Sequence, residues 1–130
     1  MGNLRQARKD IVDLLKENGI KAIHYDEKNI IPMVAIVVPN DNYILPPSSK
    51  LKMKQWNVGL SILLIASKGT EERNVDELDD FIEKVVMLLA RYVEVDITSV
   101  TGPAHVSLNG NSYLGSVVSI EYQFELEEIN

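Results

Sequence analysis

Asp76, Glu77, Asp79, Asp80 and Glu83 fall within one short stretch, and carboxylates gathered so closely could hold a hard cation or act as general acid and base. Their spacing argues otherwise. Leu78, Ile82, Val85 and Leu89 recur through the same stretch at helical intervals, so the acids fall on the opposite, solvated face. Those near the helix start are favoured there by its dipole. His24 and His105 are the two histidines, and they stand on different predicted strands without an acid or histidine at a helical ligand spacing. No serine sits in a Gly-x-Ser-x-Gly turn, and no glycine-rich phosphate loop precedes a helix. The expectation is a non-enzyme with no catalytic residue, metal ligand or cofactor.

The elements that would carry these residues follow from periodicity. Leu4, Ala7, Ile11, Leu14 and Leu15 predict a helix over Asn3 to Asn18, ended by Gly19, with Ile20 folding back on Leu14 or Leu15. Lys21 to Tyr25 reads as a short strand. Met33 to Val38, bracketed by Pro32 and Pro39, reads as a strand buried on both faces. Trp56 to Ala66 alternates and turns apolar on both faces at its far end, as a central strand does. Asn74 is expected to start the second helix, with Glu77 as its reciprocal cap and Leu78, Ile82, Val85, Leu89 and Tyr92 on its core face.

Three strands follow: Val93 to Thr101, one starting at Ala104 to Leu108, and a long return. In the return, Leu114, Ser116, Val118, Ile120, Tyr122, Phe124 and Leu126 face one way and Gly115, Ser119, Glu121, Gln123 and Glu125 the other. A two-residue Asn109-Gly110 turn would set Val106 opposite Tyr113 and His105 opposite Leu114. A three-residue turn over Asn109 to Asn111 is expected instead, joining Val106 and Leu108 to the Leu114 face. The order α-β-β-β-α-β-β-β cannot form parallel units throughout. It predicts one α+β domain over residues 1–130, with a mostly antiparallel sheet and both amphipathic helices packed on one face.

Composition narrows the partners. With 45% hydrophobic residues and no cysteine, the fold must rest on packing alone. A net charge of −6 opposes neutralisation of nucleic-acid phosphates. No apolar run approaches the roughly 18 residues of a membrane span, and the start lacks a signal-peptide core, so a soluble cytoplasmic chain without membrane attachment is expected. Gln6 stands where myristoylation would need Ser or Thr.

Residues 40–54 read as an extended loop or arm, since Pro46 and Pro47 break any helix. Tyr43, Ile44, Leu45, Leu51 and Met53 make it apolar, with Lys50, Lys52 and Lys54 alternating beside them. Two readings stand open: the arm folds over its own sheet, or it reaches a neighbouring subunit, where the lysines would meet acidic positions such as Glu71, Glu72 or Asp76.

Taken together, the layout resembles the small tail-terminator, tail-completion and neck proteins of long-tailed bacteriophages. The likeness runs through Leu14-Leu15-Lys16-Glu17-Asn18-Gly19-Ile20, Val37-Val38-Pro39-Asn40-Asp41-Asn42-Tyr43-Ile44, Trp56-Asn57-Val58, Val75-Asp76-Glu77-Leu78-Asp79-Asp80-Phe81-Ile82-Glu83, Val100-Thr101-Gly102-Pro103 and Tyr113-Leu114-Gly115. The resemblance implies a virion protein of tail or neck, made in the host cytoplasm, that assembles as a homo-oligomeric ring, commonly of six subunits. Its partners would be the tail tube protein and the neck or head-completion proteins. DNA would pass through the ring without sequence-specific binding. Tyr43, Ile44, Leu45, Pro46, Pro47, Lys50, Leu51, Lys52, Met53 and Lys54 are the candidate interface, and Glu121 and Glu125 the candidate channel lining. A head-side neck adaptor or tube-associated subunit is the nearest alternative, and a small ligand- or peptide-binding regulatory domain is the alternative of another class.

Overall fold

The first helix, α1 (Asn3–Glu17), stops where the sequence supplies a glycine. Gly19 adopts φ +79°, its N–H donates to the Lys16 carbonyl at 3.1 Å, and the Ile20 N–H donates to the Leu15 carbonyl at 3.0 Å. This paired closure satisfies carbonyls left over at the helix end and turns Ile20 into the core beside Leu15. The computed structural model describes residues 3–25, 31–45, 55–68, 72–108 and 110–125. Within them follow β1 (Ala22–His24), β2 (Val34–Leu45), β3 (Gln55–Lys68), α2 (Glu72–Leu89), β4 (Val95–Val100), β5 (Ala104–Leu108) and β6 (Asn111–Glu125).

The architecture is α+β, with a six-stranded sheet in the order β1-β2-β3-β6-β4 and β5 pairing with β6. Only β1 and β2 run parallel; every other pair is antiparallel. β4 and β5 share the same edge of β6: β4 pairs with Val118 to Tyr122 and β5 with Asn111 to Gly115. Between them, Thr101 keeps the chain attached, since its N–H donates to the Val117 carbonyl at 3.0 Å and its Oγ1 accepts from the Val117 N–H at 2.9 Å. The Ser116 hydroxyl also donates to the Thr101 carbonyl, which explains a serine buried in an apolar row.

Alternation along β3 decides the core. Val58, Leu60, Ile62, Leu64 and Ala66 enter the main cluster together with Ala7, Ile11 and Leu15 of α1 and Leu78, Phe81, Val85 and Leu89 of α2. Their antiparallel partners on β6, Ser116, Val118 and Ile120, continue the same row. The intervening residues feed a smaller cluster in which Val34, Ile36, Ile65 and Tyr113 are buried and Leu63 and Val106 half-buried. β2 therefore buries side chains on both faces, as its unbroken apolar run implies.

Three expected boundaries change. Pro39 does not end β2, which continues to Leu45; the proline pairs with Leu60 at the point where the ladder is interrupted, so its missing N–H costs nothing there. Asn74 is not the cap of α2. Glu72 and Arg73, both favourable helix residues, extend the helix ahead of it, and Asn74 lies buried in the first turn. The β5–β6 register also differs from the expected three-residue turn: Leu108 pairs with Asn111, Val106 with Tyr113 and His105 with Leu114, with Gly110 at φ +79°. Val106 selects this parity by packing over Gly115, where a Cβ would come within 2.8 Å of Val106 Cγ2.

One polar tie crosses the core boundary. The Tyr122 hydroxyl on β6 donates to Asp10 Oδ2 on α1 at 3.2 Å, while Gln6 Nε2 donates to Asp10 Oδ1 at 2.7 Å. Burial first, then the charge and hydrogen bond of Asp10 and the charge of Glu94, push the phenol from 10.0 up to about 12. The folded chain thus holds this proton more tightly than the unfolded one. Its contribution to stability is complete below pH 10.0 and is lost as pH rises towards 12. Tyr122→Phe is expected to cost about 0.5–1.5 kcal/mol at pH 8 in urea denaturation. The gap between variant and wild type should narrow as pH climbs through that window.

Candidate functional site

The arm expected over 40–54 begins as a strand. After Pro39↔Leu60 the β2–β3 pairing resumes only at Ile44↔Val58, so residues 40–43 of β2 stand against the single residue Gly59. This wide bulge is organised by polar side chains: Asn40 Nδ2 donates to Ser61 Oγ at 3.1 Å, and the Asn42 N–H donates to Asn40 Oδ1 at 3.3 Å. The bulged backbone presses onto Gly59, where an added Cβ would sit 1.9 Å from the Asn42 carbonyl oxygen. Only glycine permits that approach.

The candidate interface residues separate here. Tyr43 is half-buried and packs against the chain's own main cluster, whereas Ile44 is 43% exposed. Leu45 ends β2, opposite Asn57. Its side chain lies outside the described residues, as do Pro46, Pro47, Lys50, Leu51, Lys52, Met53 and Lys54.

Of the candidate channel residues, Glu121 pairs with Gly59 on one side and Asp96 on the other. A hollow of about 220 Å³ lies beside Gly59, lined by Glu121, Asn40, Asn42 and Thr98. Thr98 is itself the extra residue of a second bulge, between Ile97↔Ile120 and Ser99↔Ser119, and its hydroxyl donates to the Ser119 carbonyl at 3.1 Å. Glu121 is thus half-buried between two bulges, with the like charge of Asp96 directly opposite. Glu125 pairs with Gln55 at the end of the ladder, and its side chain lies outside the described residues.

Of the histidines, His24 lies on β1 and His105 on β5, an exposed position. Among the described residues no group of three or more His, Cys, Asp or Glu could hold a metal ion, and no helix is long and apolar enough to cross a membrane. Asp76, Asp79, Asp80 and Glu83 are exposed on α2, on the solvated face. Glu77 departs from that pattern. It is half-buried, its Oε2 is enclosed with no hydrogen-bond partner, and it lines a cleft of about 410 Å³ between the end of α1 and α2.

Two residues escape sequence reasoning here. Gly59 interrupts an otherwise apolar strand, and a lone strand glycine signals a bulge or close backbone approach. Glu77 carries no such signal, because its helical position differs little from that of its exposed neighbours. No protein-family model matches the chain, and no curated protein matches it either.

The bulge generates a direct test. Gly59→Ala should lower the unfolding free energy by about 1–3 kcal/mol, because the Asn42 carbonyl must move. Gly102→Ala, where an added Cβ meets nothing within 4 Å, should stay within about 0.5 kcal/mol of wild type. Equal midpoints for the two variants in chemical denaturation would contradict the close approach.

Proposed function

We propose that the chain is a structural virion protein that forms a ring at the head-proximal end of a phage tail tube, ending tube growth and offering the surface that joins tail to head. The observation that carries this reading is the β2–β3 pair. β2 ends at Leu45 and β3 starts at Gln55, Ile44 is exposed near the end of β2, and the sequence between the two strands contains Pro46, Pro47, Leu51 and Met53. Apolar groups such as these are satisfied when a neighbouring copy covers them. A contact from this segment of one copy to a different surface of the next is heterologous, and heterologous contacts close into rings when the rotation allows.

The rest of the molecule is compatible with a scaffold. One cluster receives side chains from both helices, which supports a body with both helices on one sheet face. A net charge of −6 suits a ring whose lumen repels phosphate, so that DNA slides without sticking. Glu121 and Glu125 remain the proposed lining, and Ile44 with residues 45–54 the proposed interface.

The nearest alternative is a head-side neck adaptor or tube-associated subunit, which the same features serve. A small ligand- or peptide-binding domain is favoured by a different observation, the cleft beside Glu77. Native mass spectrometry of the purified chain should give a closed oligomer, six copies of the 14.6 kDa subunit in the leading case. Electron microscopy should then find it on one end of isolated tail tubes. A strict monomer that leaves tube ends bare overturns the ring. Density at the head-side connector instead of the tube end transfers the chain to the adaptor reading.

A further inference from the structure

The exposed side of α2 carries a charge pattern with a symmetry of its own. Asp76, Asp80, Glu83, Lys84, Met87 and Arg91 follow one another at helical intervals, which stacks them along one side of the helix, and all six are exposed. Arg91 lies just beyond Leu89, yet it stays in line. The Ala90 N–H still donates to the Val86 carbonyl at 2.9 Å, and Arg91 borders one hollow of about 230 Å³ together with Lys84 and Met87.

Acids thus fill one half of the stripe and cations the other, with Met87 between the cations. The dipole of a single helix favours acids early and cations late. It gives no reason for a methionine 64% exposed between Lys84 and Arg91.

A second, identical stripe supplies that reason. Laid antiparallel, with a two-fold axis passing between Glu83 and Lys84, it sets Asp76 opposite Arg91, Glu83 opposite Lys84 and Asp80 opposite Met87, each twice by symmetry. No like charges face each other. Asp80 borders the cleft of about 410 Å³, whose wall includes Ile20, Met33 and Phe81. Two acids and two lysines line that cleft, so its formal charges balance and the apolar wall is what is left for an occupant. The unbranched, adaptable side chain of Met87 from the opposite copy suits such a wall. One surface therefore offers both a knob and a hole, spaced so that a two-fold axis fills both holes.

We propose that two copies of this chain pair through an antiparallel α2–α2 contact, each placing Met87 in the cleft of the other, with Asp76 on Arg91 and Glu83 on Lys84 across the axis. The contact is isologous and separate from the segment between β2 and β3, so it holds with or without a ring.

Sedimentation velocity and native mass spectrometry of the full chain test the pair. Met87→Ala, Asp76→Arg and Arg91→Glu should each weaken it at least about tenfold with the melting curve intact, because all three positions are exposed in the single chain. The mass of the assembly then halves, to monomers where the pair stands alone and to single rings where it stacks two. An equimolar mixture of Asp76→Arg and Arg91→Glu should restore the pair, since the mixed dimer sets opposite charges at both ends of the contact. The chain has no cysteine, so Lys84→Cys places a lone thiol beside the axis. Mild oxidation should convert it to a covalent dimer faster than Ser107→Cys, an exposed position on β5. An assembly whose mass no variant changes, a mixture that stays apart, or equal oxidation rates for the two thiols overturns the pair. A ring that persists unchanged in every variant overturns the pair alone and leaves the ring reading standing.

Discussion

Burial of one row of β3 side chains is the constraint on which the rest depends. Val58, Leu60, Ile62 and Leu64 are fully enclosed, each worth about 1.5–3 kcal/mol relative to exposure, and they meet residues of both helices. Because strand side chains alternate, placing this row inward also assigns the faces of the partners on β2 and β6. A slip of one residue would send the whole row to the other face, so the register of the central three strands is strongly specified. Residues of both helices belong to the cluster that this row builds.

The same constraint explains where irregularity is tolerated. Near Ile62 the ladders on both sides of β3 are regular, whereas at Gly59 the partner strand bulges by several residues. That bulge is sustained by Asn40 and Asn42, polar groups that serve their own backbone, and by a glycine with no side chain to obstruct them. A comparable economy governs the other edge of β6. There Thr101 and Ser116 hold the interval between β4 and β5, so a break in pairing leaves no buried polar group unanswered.

Charge follows a simpler logic with one exception. Most acids of α2 face water, where a negative chain gains solubility at little cost. Glu77 shares their helix but is drawn against the turn that ends α1, and the same Gly19-Ile20 closure that buries Ile20 forms the wall of its cleft. Packing that completes the core thus also shapes this cleft and places a carboxylate in its lining.

Much of this was legible in the sequence because periodicity depends only on local geometry. The stop of α1 at Gly19, the two-faced burial of the Met33 to Val38 run, the central place of the Trp56 strand and the alternation from Leu114 to Tyr122 follow from residue types at spacings set by the helix and the strand. What sequence could not decide depended on contacts between distant residues. β2 passes Pro39 because Gly59, far along the chain, accepts its bulge; the β5–β6 turn takes its two-residue register because Val106 fits over Gly115; Asn74 loses its capping place because the helix begins earlier and buries it. The enclosure of Glu77 belongs to the same class. A residue's type and spacing set the face it occupies, and only the packing of remote elements determines what that face meets.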